Sequence, residues 1–256
     1  MTRVALRRVA DTDGASQTLR AQLWLRELIV GGELKPGSRI AELAMVERLG
    51  VSRTPIRTAL VRLQEEGLLE ALPSGGFRVR DFSEADIHDA IEMRGTLEGL
   101  AARLAAERGV AASLLAEVRD CLARTDALLA PPKLSPASFA GYAEQNARFH
   151  ALLAEMSGST LVQRQIERVA TLPFASPNGF VMVEASGPQA RDRLVIAHDQ
   201  HHAAVDAIVK HEGARAEAVM QEHARNAQQN LAAVLQNRQA LHKLPGAGLI
   251  RRGAAR

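Results

Sequence analysis

The stretch GVSRTPIRTALVRLQEEGLL, positions 50–69, constrains the fold of this chain more than any other. Gly50 ends one helical pattern, and Ser52 is a suitable N-cap for the next helix. Pro55 then falls in the first helical turn, where its missing N–H does little harm. The apolar residues that follow recur at helical spacing: Ile56, Leu60, Leu63 and Leu68. The stretch therefore predicts a tight turn followed by an amphipathic helix.

The neighbouring segments complete a compact pattern. A helix is predicted over 17–30 and is broken by GGELKPG, and a second short helix is predicted over 41–49. After Gly67, the segment LLEALPSGGFRV has two short apolar runs separated by PSGG, which is typical of a β-hairpin. Three helices and a hairpin in this order predict a winged helix-turn-helix domain over residues 15–80.

The charge distribution favours a polyanion-binding module joined to a domain with another task. Residues 1–80 contain 13 Lys/Arg against 9 Asp/Glu, whereas residues 81–242 contain 15 against 20 and residues 243–256 contain 4 against none. Aromatic residues make up only 3% of the chain, which argues against stacking platforms for single-stranded nucleic acid. Duplex DNA needs no such platform.

Residues 17–80 resemble the GntR family of bacterial transcription regulators, through LRELIVGGELKPGSRIAE, LGVSRTPIRTALVRLQEEGLLE and GGFRV. The resemblance implies DNA contacts by one group of recognition-helix residues and places a second group near the DNA backbone. The first group is Ser52, Arg53, Thr54 and Arg57, and the second is Arg39 with the wing glycines Gly75 and Gly76. Thr58 departs from the family, where many members carry Glu.

The physics of groove binding agrees with this assignment. The first turns of a recognition helix enter the major groove, where basic side chains meet base edges and hydroxyls meet phosphates. Arg53 and Arg57 are four residues apart and share one helix face, and either could bind a guanine bidentately. An isolated Arg-x-x-x-Arg is more often an ordinary solvated face, but the surrounding pattern favours DNA binding. One helix covers few base pairs, so a homodimer on a pseudo-palindromic operator is expected.

The rest of the chain predicts an all-helical bundle. Ser83 with Asp86 resembles a capping box, and long Ala/Leu/Glu/Arg-rich amphipathic segments follow. Six helices are expected, at about 84–107, 110–130, 137–157, 159–171, 188–212 and 214–241. The predicted organisation is a disordered arm over 1–14, the winged domain over 15–80, the helical domain over 81–242 and a disordered basic tail over 243–256. The fold class is mainly α with a small β-hairpin wing.

This second part resembles the FCD domain, the effector-binding domain of a large GntR subfamily. IEMRGTLEGLAARLAA, NARFHALLAEMSGS and HHAAVDAIVKHEGARAEAVMQEH carry the resemblance. In many members the domain holds a divalent metal through three histidines and one Asp or Asn oxygen. Asn146 and His150 lie at i and i+4 on one helix, and His201 with His223 fits the register of the family's last two helices. The resemblance thus implies a metal site of Asn146, His150, His201 and His223.

The remaining histidines receive other expectations. His198 lies three residues before His201 and is expected as a substitute ligand or as a supporting group behind the ligands. Choosing His202 in place of His201 would shift the family register by one. We expect the following to face solvent: His88, His202, His211 and His242.

The predicted ligand set suits zinc first, with nickel, cobalt, manganese and iron as alternatives. Asn146 carries no charge where the family often has Asp, which makes the site less negative and more dependent on an anionic ligand. In the family, the arginine of the R..LE motif, here Arg94, reaches the cavity. A guanidinium is geometrically suited to a carboxylate, so the expected effector is a small organic acid held between the metal and Arg94.

Two rival functions remain. A metal hydrolase or lyase would need a general base, and the sequence contains no His-Glu-x-x-His, no Gly-x-Ser-x-Gly and no phosphate loop. An architectural DNA-binding protein with a structural metal would respond to no effector. No apolar run long enough for a membrane span and no secretory signal are found, which predicts a cytoplasmic protein. The overall expectation is a ligand-responsive transcription regulator acting as a repressor, and not an enzyme.

Overall fold

The computed structural model describes residues 14–172, 174–178, 190–236 and 246–251. The chain divides into two compact units between Arg80 and Asp81. The elements of the first unit are α1 (Gly14–Val30), β1 (Arg39–Ile40), α2 (Glu42–Leu49), α3 (Arg53–Glu65), β2 (Leu69–Ala71) and β3 (Phe77–Val79). The three predicted helices and the hairpin strands are all present.

The apolar stripe of α3 forms the centre of the first unit. Ile56, Leu60 and Leu63 are fully buried, and each such side chain stabilises the fold by about 1.5–3 kcal/mol relative to exposure. Gly50 ends α2 in the left-handed conformation. Ser52 occupies the N-cap position of α3 with extended backbone, but its side chain makes no capping hydrogen bond. The hydroxyl is therefore not engaged by its own helix.

The sheet has one strand more than the sequence predicts. Its order is β1-β3-β2, with both pairings antiparallel. Strand β1 contains only Arg39 and Ile40, which pair with Arg78 and Phe77. A two-residue strand is too short to leave an alternating pattern in the sequence, and only pairing with the wing hairpin defines it.

The described residues of the second unit form helices and one isolated bridge, and together with the first unit they confirm the predicted, mainly α fold class. Its elements are α4 (Glu84–Arg108), α5 (Ala112–Leu129), α6 (Pro136–Met156), α7 (Thr160–Ala170), α8 (Ala190–Val209), α9 (Gly213–Gln236) and a short 3-10 turn (Ala247–Leu249). Ser83 and Asp86 form the predicted capping box at the start of α4. Within the described residues, no helix combines the length and apolar character needed to cross a membrane.

Helices α4 and α9 pack at unusually short range. A Cβ added at Gly95 of α4 would lie 2.4 Å from the Cβ of Ala224 on α9, so the absence of a side chain at this position permits the contact. Each of these residues is next to a charged or polar residue of interest, Arg94 on α4 and His223 on α9. The glycine contact therefore brings two functional candidates into one interior.

The prediction of a disordered tail is wrong for residues 246–251. The Phe82 N–H donates to the Leu249 carbonyl at 2.8 Å, and the Arg251 N–H donates to the Phe82 carbonyl at 2.8 Å. Leu249 and Ile250 are buried. Removal of these apolar side chains from water favours packing of the segment against the rest of the unit. Residues 1–13 of the expected N-terminal arm and the rest of the tail lie outside the described residues.

Candidate functional site

The first candidate surface is the exposed face of α3. Ser52, Arg53, Thr54 and Arg57 are all exposed, and a shallow surface depression is lined by Arg53, Thr54, Arg57, Thr58 and Val61. The Nε atom of Arg53 lies 3.3 Å from a carboxylate oxygen of Glu42. Among the described residues, Arg57 forms no ion pair. The face thus presents the ion-paired guanidinium of Arg53 and the unpaired guanidinium of Arg57 next to two hydroxyl groups.

The wing turn is built from glycine and supported by Arg39. Gly75 and Gly76 have φ values of +83° and +85°, in the left-handed region that glycine adopts without a steric penalty. The Nη2 atom of Arg39 donates to the Gly75 carbonyl at 2.8 Å. Arg39 is exposed, so it supports the wing while remaining at the surface. Thr58 donates to the Thr54 carbonyl at 3.1 Å, so its hydroxyl is held by its own helix.

The second candidate site lies in the interior of the helical unit. His150 of α6, His201 of α8 and His223 of α9 are buried, with 3%, 1% and 8% exposure. One nitrogen of each ring lies within 4.8 Å of the others, and the Nε2 atoms of His201 and His223 are 3.3 Å apart. Three histidines that the sequence separates by up to 73 positions therefore converge.

Neighbouring acceptors orient two of these rings. The Nδ1 atom of His150 lies 2.7 Å from Glu98 Oε1, and the Nδ1 atom of His223 lies 3.2 Å from Gln200 Oε1. Because both oxygens accept, each ring carries a proton on Nδ1, which leaves Nε2 as the nitrogen that could bind a cation. The Nε2 atom of His150 has no hydrogen-bond partner among the described residues. Histidines held in this way by a carboxylate or amide are typical of metal ligands.

The electrostatics keep His201 and His223 neutral and Glu98 ionised. Burial opposes ionisation of Glu98, but the neighbouring His150 and Arg94 outweigh it and lower the pKa of Glu98 to about 2. Burial, with the neighbouring His223 and His150, lowers the pKa of His201 well below 6.5. Burial, His150 and Arg94 lower the pKa of His223 to about 3. Neutral imidazole is the form that binds a cation.

Arg94 is a buried cation with incomplete pairing. Its side chain is 3% exposed, and its Nη1 atom lies 3.8 Å from Glu98 Oε1. The Nε and Nη1 atoms of Arg94 and the Oε2 atom of Glu98 have no hydrogen-bond partner among the described residues. Burying a charge without full pairing is strongly unfavourable. Such donors next to three imidazoles form a site suited to an anion.

Asn146 occupies the predicted position one helical turn before His150, and it is buried with 4% exposure. Its amide nitrogen donates to the Pro177 carbonyl at 3.3 Å and to Asn178 Oδ1 at 2.8 Å. These two contacts use the amide donors. The side-chain oxygen is the atom that the predicted ligand role requires.

The other histidines fall into different environments. The Nε2 atom of His198 lies 2.9 Å from Asp126 Oδ1 and that of His202 lies 3.1 Å from the same oxygen, so His198 is directed at α5. His88 and His211 are exposed as expected, although the Nδ1 atom of His211 donates to the Ala106 carbonyl. His242 lies outside the described residues.

Sequence reasoning missed three residues that organise these clusters: Glu98, Gln200 and Asp126. Glu98 follows Arg94 by four positions in the segment IEMRGTLEGL, and that spacing places both side chains on one helix face. This signal was sufficient to suggest an Arg–Glu pair. Gln200 and Asp126 leave no comparable pattern, because their partners lie on other helices.

Comparison with known proteins identifies both units. The model of the gntR family of bacterial regulatory proteins matches residues 17–79, and the FCD domain model matches residues 89–226. An HTH-type transcriptional regulator from the TAR-I ttuE-ttuC' intergenic region of Agrobacterium vitis is 38% identical over 131 residues, which is 50% of this chain and 74% of that protein. The HTH-type transcriptional repressor GlaR of Escherichia coli (strain K12) is 26% identical over 203 residues, or 78% of this chain and 89% of that one.

Several further regulators match over only about a third to a half of their own length. The solved structure of McbR/YncC from E. coli aligns with a TM-score of 0.58 at 23% identity, and the alignment covers 86% of this chain and 97% of that one. This likeness shows that the fold is shared.

Proposed function

The chain belongs to the gntR family of bacterial regulatory proteins, with an FCD domain as its helical unit, and we propose that it is a repressor whose affinity for its operator changes when the helical unit binds a divalent metal and a small organic acid. The family is one of DNA-binding transcription regulators and not of enzymes. Four statements go beyond family membership and belong to the proposal: that the protein binds a divalent metal, that it binds an organic acid, that it represses transcription and that it forms a homodimer.

The incompletely paired Arg94 next to three buried imidazoles is the observation that carries the proposal. Arg94 keeps two unpartnered nitrogens and His150 keeps an unpartnered Nε2 in the same interior. A cation would satisfy the imidazole nitrogen, and an anion would satisfy the guanidinium. One carboxylate bound to both a metal and Arg94 accounts for both unmatched groups.

The residues present fit a divalent metal. Asn146, His150, His201 and His223 would hold the ion, which would supply a Lewis-acidic centre for a carboxylate oxygen. Glu98 fixes the ring of His150, and Gln200 fixes the ring of His223. Arg94 would bind the second carboxylate oxygen and exclude neutral analogues, because a buried guanidinium left without an anion is disfavoured.

The DNA-binding part of the proposal rests on the exposed face of α3. Arg57 would contact a base edge. Arg53 would bind DNA either after breaking its ion pair with Glu42 or while keeping that ion pair. Ser52 and Thr54 would contact phosphates near the helix start. A homodimer would place two such helices on a pseudo-palindromic site. Coupling to effector of about 1–3 kcal/mol would change operator affinity by about 5–150-fold.

The central test is an effector titration. Operator DNA is selected from a random-sequence pool, and complexes of the full chain with zinc are titrated with a panel of small carboxylates at fixed salt. We expect at least one acid to shift affinity in the wild type and to lose that effect in Arg94→Lys, which keeps the charge but not the planar fork. If no acid in a broad panel shifts affinity, the architectural alternative replaces this proposal.

Metal content provides the second test. Elemental analysis of His150→Ala and His223→Ala should show loss of one metal equivalent relative to wild type, while the exposed His88→Ala serves as the matched control. Circular dichroism verifies that each variant folds. Unchanged metal in folded His150→Ala and His223→Ala would contradict the ligand set.

A further inference from the structure

We propose that Asp126, His198 and His202 form a second divalent transition-metal site at the surface of the helical unit, separate from the buried histidine cluster. His198 and His202 lie at i and i+4 on α8, and Asp126 lies on α5. The comparisons assign no role to these three residues. The inference goes beyond the proposed effector site and does not depend on it.

The donor atoms have the spacing of a metal site. Asp126 Oδ1 lies 2.9 Å from His198 Nε2 and 3.1 Å from His202 Nε2, and the two nitrogens are 3.2 Å apart. A tetrahedral ion with bonds of about 2.0–2.1 Å holds its ligand atoms about 3.3 Å apart. Small side-chain shifts of a few tenths of an ångström would therefore admit an ion. Two imidazoles with one carboxylate suit zinc, cobalt, nickel or copper.

The site is rigid on one side and accessible on the other. The side chain of His198 is 4% exposed, while those of Asp126 and His202 are 55% and 43% exposed. The buried His198 Nδ1 has no hydrogen-bond partner among the described residues, so its ring is held mainly by packing and by the Nε2 contact. Buried His198 thus provides a fixed ligand that points at two residues open to solvent.

A groove of about 400 Å³ adjoins the two exposed ligands. Asp126 and His202 line it together with Leu122, Ala123, Val205 and Arg119. An ion held by three protein ligands keeps at least one coordination position for water, and the groove gives that water and the entering ion a path from solvent. Bound metal would also cross-link α5 and α8.

The two sites share a helix but not a ligand. His198 and His201 are three residues apart on α8, with ring centroids separated by 5.9 Å. His201 is directed at His223, whereas His198 is directed at Asp126. Substitutions at Asp126 or His202 can therefore remove the surface site without altering the buried cluster.

The test is a titration of the metal-stripped full chain with Co²⁺, followed by visible absorbance, and with Zn²⁺, followed by calorimetry. We expect the wild type to bind one metal ion per chain at the surface site. His202→Gln and Asp126→Asn should each weaken the affinity for this ion by about tenfold or more, since loss of even a residue that only hydrogen-bonds to a metal ligand changes metal affinity by about 10–100-fold. His88→Gln, an exposed substitution on α4, is the matched control. Zn²⁺ should raise the melting temperature of His150→Ala less after His202→Gln is added.

The outcomes separate the two sites. If one metal ion per chain is lost in His202→Gln but retained in His150→Ala, the surface site is supported, and this result does not depend on whether the buried site binds metal. Equal stoichiometry and affinity in wild type, His202→Gln and Asp126→Asn overturn the surface site. If His150→Ala alone loses metal, the buried site stands and the surface site is rejected.

Discussion

The recognition face of α3 and the interior histidine cluster contrast in how they are organised. Arg53 and Arg57 are exposed, and within the described part of the chain only Arg53 forms an ion pair, with Glu42. His150, His201 and Arg94 are buried, and Glu98 touches both a histidine and the arginine. The first surface is assembled by one helix, whereas the second requires four.

This difference has an energetic consequence. Exposed charges are solvated before DNA arrives, so their removal should affect binding and leave stability nearly unchanged. Buried charges depend on each other, so the loss of one leaves another uncompensated. Substitutions in the interior should therefore alter folding and ligand binding together.

The largest effect is expected from Glu98→Ala. The substitution removes the only carboxylate near buried Arg94 among the described residues and the acceptor of His150. The free energy of unfolding should fall by about 3–5 kcal/mol, measured by urea denaturation. Glu107→Ala, at an exposed ion pair on the same helix, should lower it by less than about 1 kcal/mol. Similar values for both variants would remove the contrast between buried and exposed charges.

Gly95→Ala should come next. An added methyl would meet Ala224 at 2.4 Å, which should lower the free energy of unfolding by about 1–3 kcal/mol through overpacking. An alanine in an unrestricted helix would instead stabilise it by about 1 kcal/mol, so the sign tests the close approach. Gly248→Ala, where nothing lies within 4 Å, is the control. A stabilised Gly95→Ala variant would show that α4 and α9 do not pack as described.

Arg57→Ala should separate binding from stability. We expect the free energy of operator binding at fixed salt to become less favourable by about 1–3 kcal/mol. The melting temperature should stay unchanged because the side chain is exposed. Gln64→Ala, exposed near the other end of α3, should leave both unchanged. Retained specific binding in Arg57→Ala would contradict its assignment as a base-contacting residue.

The smallest effect is expected from pH on the metal-free protein. The pKa of His223 is about 3 in the folded chain and 6.5 as its reference value. Below pH 6.5 the unfolded chain binds a proton that the folded chain does not, so the free energy of unfolding should decrease on acidification until about pH 3. Between pH 6.5 and 5.5 the decrease should be on the order of 1 kcal/mol. His223→Gln should reduce the dependence of the free energy of unfolding on pH, whereas the control His88→Gln should leave that dependence unchanged. Identical pH dependence in the two variants would contradict the burial of a neutral His223.

Local patterns explain which features the sequence predicts well. Helix starts such as Ser83 with Asp86, the turn at Gly50 and the stripe of α3 depend on neighbours within a few positions. Strand β1 and the ordered segment 246–251 depend on distant partners, the wing hairpin and Phe82. Short segments of this kind carry too little periodicity to be recognised.

The residue types of the candidate sites follow the same division. The sequence by itself predicted that Arg53 and Arg57 share one helix face, and its resemblance to the family implied a metal site that includes His150, His201 and His223. Only the tertiary structure decided that Glu98 pairs with His150 and that His198 is directed at Asp126, 72 positions away. Helical periodicity fixes which side chains share a face, because it is set by local backbone geometry. Which faces meet depends on close contacts such as Gly95 against Ala224, and those contacts are set by packing across the whole unit.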